Sequence, residues 1–125
     1  MLARFPAFFT FSTHDIPATH TFYEQTLGLE VHRNARGFLE LYLPGNNTAV
    51  IYAKADHKPA NYTVLNFEVQ NIERIVDDLR DKGVVFEQYG PPIATDAKGI
   101  SWDPEGSNIA WFRDPGGNIL ALIEG

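Results

Sequence analysis

No cysteine occurs in the chain, which excludes a disulfide framework, a thiolate nucleophile and any sulfur-ligated metal. That usage is the one expected of a cytoplasmic protein. Basic residues are scarce and unclustered: ten Lys and Arg stand against sixteen Asp and Glu, for a net charge of −6. The balance removes the electrostatic footprint that a nucleic acid requires and suits cationic small molecules better. No apolar run approaches the roughly 18 residues of a membrane span. The N-terminal MLARFPAFFTF is broken by Pro6 and lacks the small-residue cleavage pattern of a secretory signal. No GxSxG, HExxH or phosphate-loop pattern is present. Neither nucleic acid nor membrane is therefore an expected partner. What the chain does have is apolar material, 44% hydrophobic and 13% aromatic over 125 residues, enough for one domain with a real core.

That material is arranged in a unit that occurs twice. Residues 8–31, FFTFSTHDIPATHTFYEQTLGLEV, read as strand, turn, helix, glycine stop and strand, and residues 64–86, VLNFEVQNIERIVDDLRDKGVVF, repeat the order. Phe11 and Phe67, Asp15 and Asn71, and Ile16 and Ile72 all lie 56 residues apart. A unit repeated once means two copies of one supersecondary module, not a solenoid. Asp15 is placed to cap the first helix, with Pro17 in its first turn and Gly28 after its end. Asn71 is placed to cap the second, whose stripe of Ile72, Ile75, Val76 and Leu79 marks an apolar face; its charged residues make a solvated one.

Strands are expected over residues 5–13, 29–33, 38–43, 49–53, 62–69, 84–89, 108–113 and 119–124, with a further short edge strand near 100–103. Turns fall at 34–37, 44–47 and 114–118. The hairpins LPGNN and DPGGN echo each other. Each half is then β-α-β-β-β, with module one over about 1–55, a polar linker at 56–61 and module two over 62–125. Residues 90–99 hold two prolines and no periodicity, and form a long loop of the kind that sits over sites.

Three motifs in order, FYEQTLGLEV after an Asp-Ile turn, LRDKGVVFE, and FRDPGGNILALIE, resemble the vicinal oxygen chelate superfamily of glyoxalase I, bleomycin resistance proteins and extradiol dioxygenases. The resemblance spans nearly the whole chain. It implies an α+β fold in which two βαβββ modules form a half-open eight-stranded cup, and a homodimer. In metal-using relatives, ligands come from the first and last strand of each module. Counting from the turn residues Asp15, Asn47, Asn71 and Asn118 puts those positions at Phe8, Val50, Val64 and Ala121, where no lone pair is available. The resemblance without the ligands implies no metal and no cofactor.

Strand alternation assigns Phe8, Thr10, Ser12, Val50, Tyr52, Val64, Asn66, Glu68, Ala121 and Ile123 to the inner face, and an all-apolar set including Phe9, Phe11, Leu65, Phe67, Leu120 and Leu122 to the helix-covered face. Trp102 and Trp111 are candidates to stack a planar or cationic ligand, or to pack. His14 and His57 are expected to be exposed and His20 to be partly buried, while His32 is a candidate for the inner face. The function expected is a metal-free protein that sequesters a small aromatic or cationic molecule; the alternatives are a lyase, isomerase or oxygenase of the same superfamily with atypical or no metal ligands, and a regulatory or structural dimer whose cup is filled by its own side chains.

Overall fold

The computed structural model describes residues 1–125, which divide into two compact units, Met1–Lys58 and Pro59–Gly125. In the first, strands β1 (Phe9–Thr13), β2 (Glu30–Arg33), β3 (Leu39–Leu43) and β4 (Asn47–Ala53) form one sheet in the order β1-β4-β3-β2. β1 runs parallel to β4 and the other pairs are antiparallel. The parallel pair needs a crossover, and helix α1 (Ile16–Thr21) lies within it. Asp15 caps α1 as its position predicts, accepting a hydrogen bond from Ala18 N at 3.0 Å.

α1 does not run straight on to its glycine stop. It passes into a π-helical turn at Phe22–Thr26, where Leu27 N bonds Phe22 O at 3.0 Å. The wider turn carries Tyr23 to complete burial against Phe22 and Phe11. Gly28, with φ +73°, then reverses the chain. Leu39, Leu41, Ala49 and Ile51 are fully buried on the face beneath these helical turns. Thr13 and Thr19 satisfy each other there through hydroxyls 2.9 Å apart. β1 begins at Phe9, not at residue 5. Residues 2–4 form a 3-10 turn, and Phe9 opposite Ala49 is the first paired rung.

The second unit repeats the plan with β5 (Thr63–Glu68), α2 (Ile72–Asp81), β6 (Ile100–Ser101), β7 (Asn108–Arg113) and β8 (Ile119–Glu124), in the order β5-β8-β7-β6. Ile72, Val76 and Leu79 are buried along α2. The DPGGN turn is organised by buried Asp114, whose carboxylate accepts from Gly116 N, Asn118 N and Asn118 Nδ2.

Three expectations fail in this unit, each for a reason in the chain's long-range pairing. The Asn71 side chain makes no capping bond; its backbone is left-handed at φ 55°. The cap comes from Glu124 instead, which accepts from Ile72 N at 2.9 Å and from Asn108 Nδ2 at 3.0 Å. Those bonds, Asn108 first and the Ile72 amide second, hold its carboxyl below the usual range. The strand expected over 84–89 contributes only a bridge, Phe86 to Phe112, followed by Glu87 N to Trp111 O. Farther along β7's edge, β6 pairs Ile100 with Ala110 and Ser101 with Ile109, so residues 88–99 loop out between two pieces of one edge. Finally, β5 is irregular at Val64: Thr63 pairs with Ile119 but Leu65 with Leu120. Val64 is thus the extra residue of a bulge and has no rung of its own.

The excluded loop is tied at its root by Asp96. One of its oxygens accepts from Lys98 N and Ile100 N, both 2.9 Å, and the other from Trp102 Nε1 at 2.8 Å. Burial pushes this carboxyl up, but the bonds from the Ile100 amide, the Trp102 indole and the Lys98 amide outweigh it and its pKa is lowered. A lowered folded-state pKa gives stability that is fully present above the unfolded value of about 3.9 and lost as pH falls through the folded value. Asp96→Asn should therefore be clearly less stable than the parent at pH 7, and the gap should shrink below about pH 4. Urea unfolding at pH 7 and pH 3 measures it; a gap unchanged with pH would contradict the ionised-hub account.

Candidate functional site

The exposed face of the first sheet carries the candidate site. Residues paired across a ladder share a face, so Thr10, Val50, Glu40 and His32 form one row, through the pairs Thr10–Val50, Val50–Glu40 and Glu40–His32. Ser12 and Tyr52 pair in the next row. On this face the chain leaves a concavity of about 310 Å³. Four residues assigned to it by strand alternation, Phe8, Thr10, Val50 and Tyr52, line it together. Four more line it that were not assigned: Asn34, Arg36, Phe38 and Glu40. Phe38, just before β3, and Glu40 on it carry the same alternation, with Leu39 and Leu41 buried on the other face. Asn34 and Arg36 sit in the turn that leans over the sheet.

Asn34 organises that turn. Its side-chain oxygen accepts from Arg36 N at 3.0 Å and Phe38 N at 3.1 Å, and its amide nitrogen donates to Glu40 Oε2 at 3.3 Å. The other Glu40 oxygen accepts from the Tyr42 hydroxyl at 3.1 Å. That bond, then Glu40's negative charge, raises the phenol's pKa, so Tyr42 stays protonated and donating. Arg36 lines the same hollow, and its guanidinium has no ion-pair partner. The Phe38 ring meets Tyr52 edge-on at 5.9 Å, and Phe8 is 66% exposed at the rim. Farther along the face, the His32 ring lies against Tyr42 at 4.7 Å, with Glu30 2.7 Å from its Nε2.

At the other end Ser12 Oγ is 2.6 Å from His57 Nδ1, and His14 stacks on His57 at 6.0 Å. His57 is thereby half-buried, not exposed as its place in a polar linker suggests. His20 is half-buried beside Glu24, and His14 is exposed.

In the second unit Asn66, Ala121 and Trp111 form the row equivalent to Thr10, Val50 and Glu40. Asn66 is exposed, Ala121 buried, and Trp111 half-buried with its ring edge against Tyr89 at 5.5 Å. Glu68 is exposed in the following row, opposite Ile123. Trp102 is 49% exposed, but its indole N–H is committed to Asp96. This unit's own hollow, about 730 Å³ beside the end of α2, is lined by Asp77, Arg80, Asp81 and Lys98 among others. Its lysine is already engaged, 2.9 Å from Asp77 and 3.6 Å from Glu73.

The four positions that the resemblance implies for metal ligands carry no donor atoms in their side chains. Val50 and Ala121 occupy matching rungs, Thr10–Val50 and Asn66–Ala121, and offer only hydrocarbon, as do Phe8 and the bulged Val64. A divalent ion needs oxygen, nitrogen or sulfur donors at about 2 Å. No group of three or more His, Asp or Glu that could hold an ion exists elsewhere in the chain. The residues present do not fit the group. No helix is long and apolar enough to cross a membrane.

Solved structures share this architecture. A glyoxalase/bleomycin resistance protein/dioxygenase superfamily member from Sphaerobacter thermophilus DSM 20745 is 22% identical at a TM-score of 0.73, with 98% of this chain and 99% of that one covered. The antibiotic binding protein TnmS3 from Streptomyces sp. CB03234 is 20% identical at 0.67, covering 96% of each chain. The fosfomycin resistance protein FosX from Listeria monocytogenes is 14% identical at 0.73, covering 97% and 93%. No curated protein matches the chain. The model of one family matches residues 6–122, and with the repeated βαβββ module it establishes that the chain belongs to the Glyoxalase/Bleomycin resistance protein/Dioxygenase superfamily.

Proposed function

We propose that this protein is a metal-free small-molecule-binding protein, similar to bleomycin resistance proteins, that sequesters an aromatic or cationic ligand and works as a cytoplasmic homodimer. The observation that carries the reading is the concavity on the first sheet, where aromatic walls from Phe8, Phe38 and Tyr52 surround a few polar groups. That make-up is usual for a small-molecule site. The hydrocarbon at Phe8, Val50, Val64 and Ala121 supports the metal-free part, and the fold shared with an antibiotic binding protein agrees with sequestration.

Phenethylamine, a small aromatic cation, is a direct probe. Titrated into labelled protein, it should shift the amide resonances of Thr10, Val50 and Tyr52, equally with and without EDTA. Tyr52→Ala should weaken binding roughly tenfold through lost ring contact. Elemental analysis finding stoichiometric metal, or binding abolished by EDTA, would overturn the metal-free reading.

One observation favours a second reading, a metal-independent enzyme of the same superfamily: the Ser12–His57 contact of 2.6 Å on the same face of the sheet, a pair able to exchange a proton. Turnover of a bound compound that is lost in His57→Gln would decide for it.

A further inference from the structure

Two opposite charges, Arg36 and Glu40, line one small hollow and form no salt bridge with each other. We propose that the hollow selects zwitterionic aromatic molecules: Arg36 takes a carboxylate, Glu40 takes an ammonium, and Phe8, Phe38 and Tyr52 take the ring. The inference rests on the binding reading above and narrows it from aromatic or cationic ligands to those carrying both charges.

Glu40 is held but not neutralised. Each of its oxygens accepts one bond from an uncharged donor, Asn34 Nδ2 at 3.3 Å and Tyr42 Oη at 3.1 Å. A carboxylate has about four acceptor sites, so capacity for a charged donor remains. The same Asn34 side chain fixes the backbone at Arg36 and Phe38 through 3.0 and 3.1 Å bonds. One residue thus sets the carboxylate, the base of the arginine and the ring beside them. A guanidinium presents a fork of donors matched to a carboxylate. The hollow, about 310 Å³, is at the small end for ligand sites and suits one ring with a short charged tail. A cation alone would leave Arg36 facing like charge, and an anion alone would do the same to Glu40.

Three probes sharing a ring separate the charges: phenylalanine carries both, phenethylamine only the ammonium, and 3-phenylpropionate only the carboxylate. Affinities come from amide shifts at Thr10, Val50 and Tyr52 at low salt. Phenylalanine should bind tightest, by roughly fivefold over each single-charge probe, the scale of a partly exposed charge contact. Glu40→Gln should erase its advantage over 3-phenylpropionate, and Arg36→Gln its advantage over phenethylamine. Both sites are on the surface, and an unchanged resonance pattern elsewhere shows that the variants fold. Equal affinities for the three probes, or preferences that survive both substitutions, overturn this inference and leave the binding reading standing. No shift at the hollow with any probe overturns both.

Discussion

Replacing Phe112 by alanine is expected to destabilise the protein by about 3–5 kcal/mol, the range for emptying a fully buried aromatic site. Phe112 is 0% exposed. Its ring packs against Phe86 at 5.4 Å with 60° between planes, and its backbone pairs with Leu120 on one side and bridges to Phe86 on the other. The rung to Leu120 and the bridge to Phe86 hold its backbone in place, which limits how far the surroundings can close in. A cavity term therefore adds to the lost transfer free energy, because collapse is only partial. In a chain whose whole stability is of order 5–15 kcal/mol, the loss should lower Tm by on the order of 10–20 °C. Urea unfolding measures the change, and Phe112→Leu, which keeps most of the volume, should cost about 1.5 kcal/mol or less. A loss under about 1 kcal/mol for Phe112→Ala would mean that the second unit repacks freely.

The same pair of residues shows what sequence pattern conveys and what it does not. Val84, Val85 and Phe86 alternate buried, exposed, buried, with Val85 84% exposed, so the period of two seen in the sequence is real. The strand it predicts is nevertheless a single bridge, because pairing depends on which segment claims β7's edge, and Ile100–Ser101 claims Ile109 and Ala110. Caps follow the same logic. Asp15 caps α1 from one residue away and is legible. Glu124 caps α2 from across the unit, and no local spacing signals that.

At the candidate site, period-two alternation on β1 and β4 points to Phe8, Thr10, Val50 and Tyr52. Extended to β3, it also marks Phe38 and Glu40. Asn34 and Arg36 lie beyond it, since a turn's lean over a sheet comes from hydrogen bonds such as Asn34 to Glu40 and not from periodicity. Val64 marks another limit: its count from Asn71 matches that of Phe8 from Asp15, yet Phe8 lies just before the first paired rung of its sheet and Val64 sits in a bulge inside its strand.

Gly99→Ala should cost about 2–4 kcal/mol, well above what its backbone angle alone predicts. Gly99 has φ +89°, and a Cβ there would stand 2.6 Å from Phe86 Cβ and 3.0 Å from Glu87 O. Neither atom is the end of a flexible chain. Phe86 is bridged to Phe112, and Glu87 N is bonded to Trp111 O at 2.8 Å. The glycine thus lets the loop over residues 88–99 rejoin the edge it left, with β6 directly following. Gly83 supplies the control. Its φ is +94°, but nothing lies within 4 Å of its missing Cβ, so Gly83→Ala carries only the strain of a left-handed residue, about 1–2 kcal/mol. The difference between the two variants isolates the close approach. Hydrogen exchange should show Glu87 N and Ile100 N losing protection in Gly99→Ala and keeping it in Gly83→Ala, since the first substitution must pry apart the two segments sharing β7's edge. Equal costs and equal protection would show that the 99–101 segment yields at no expense, and that the split edge is a soft feature of the second sheet.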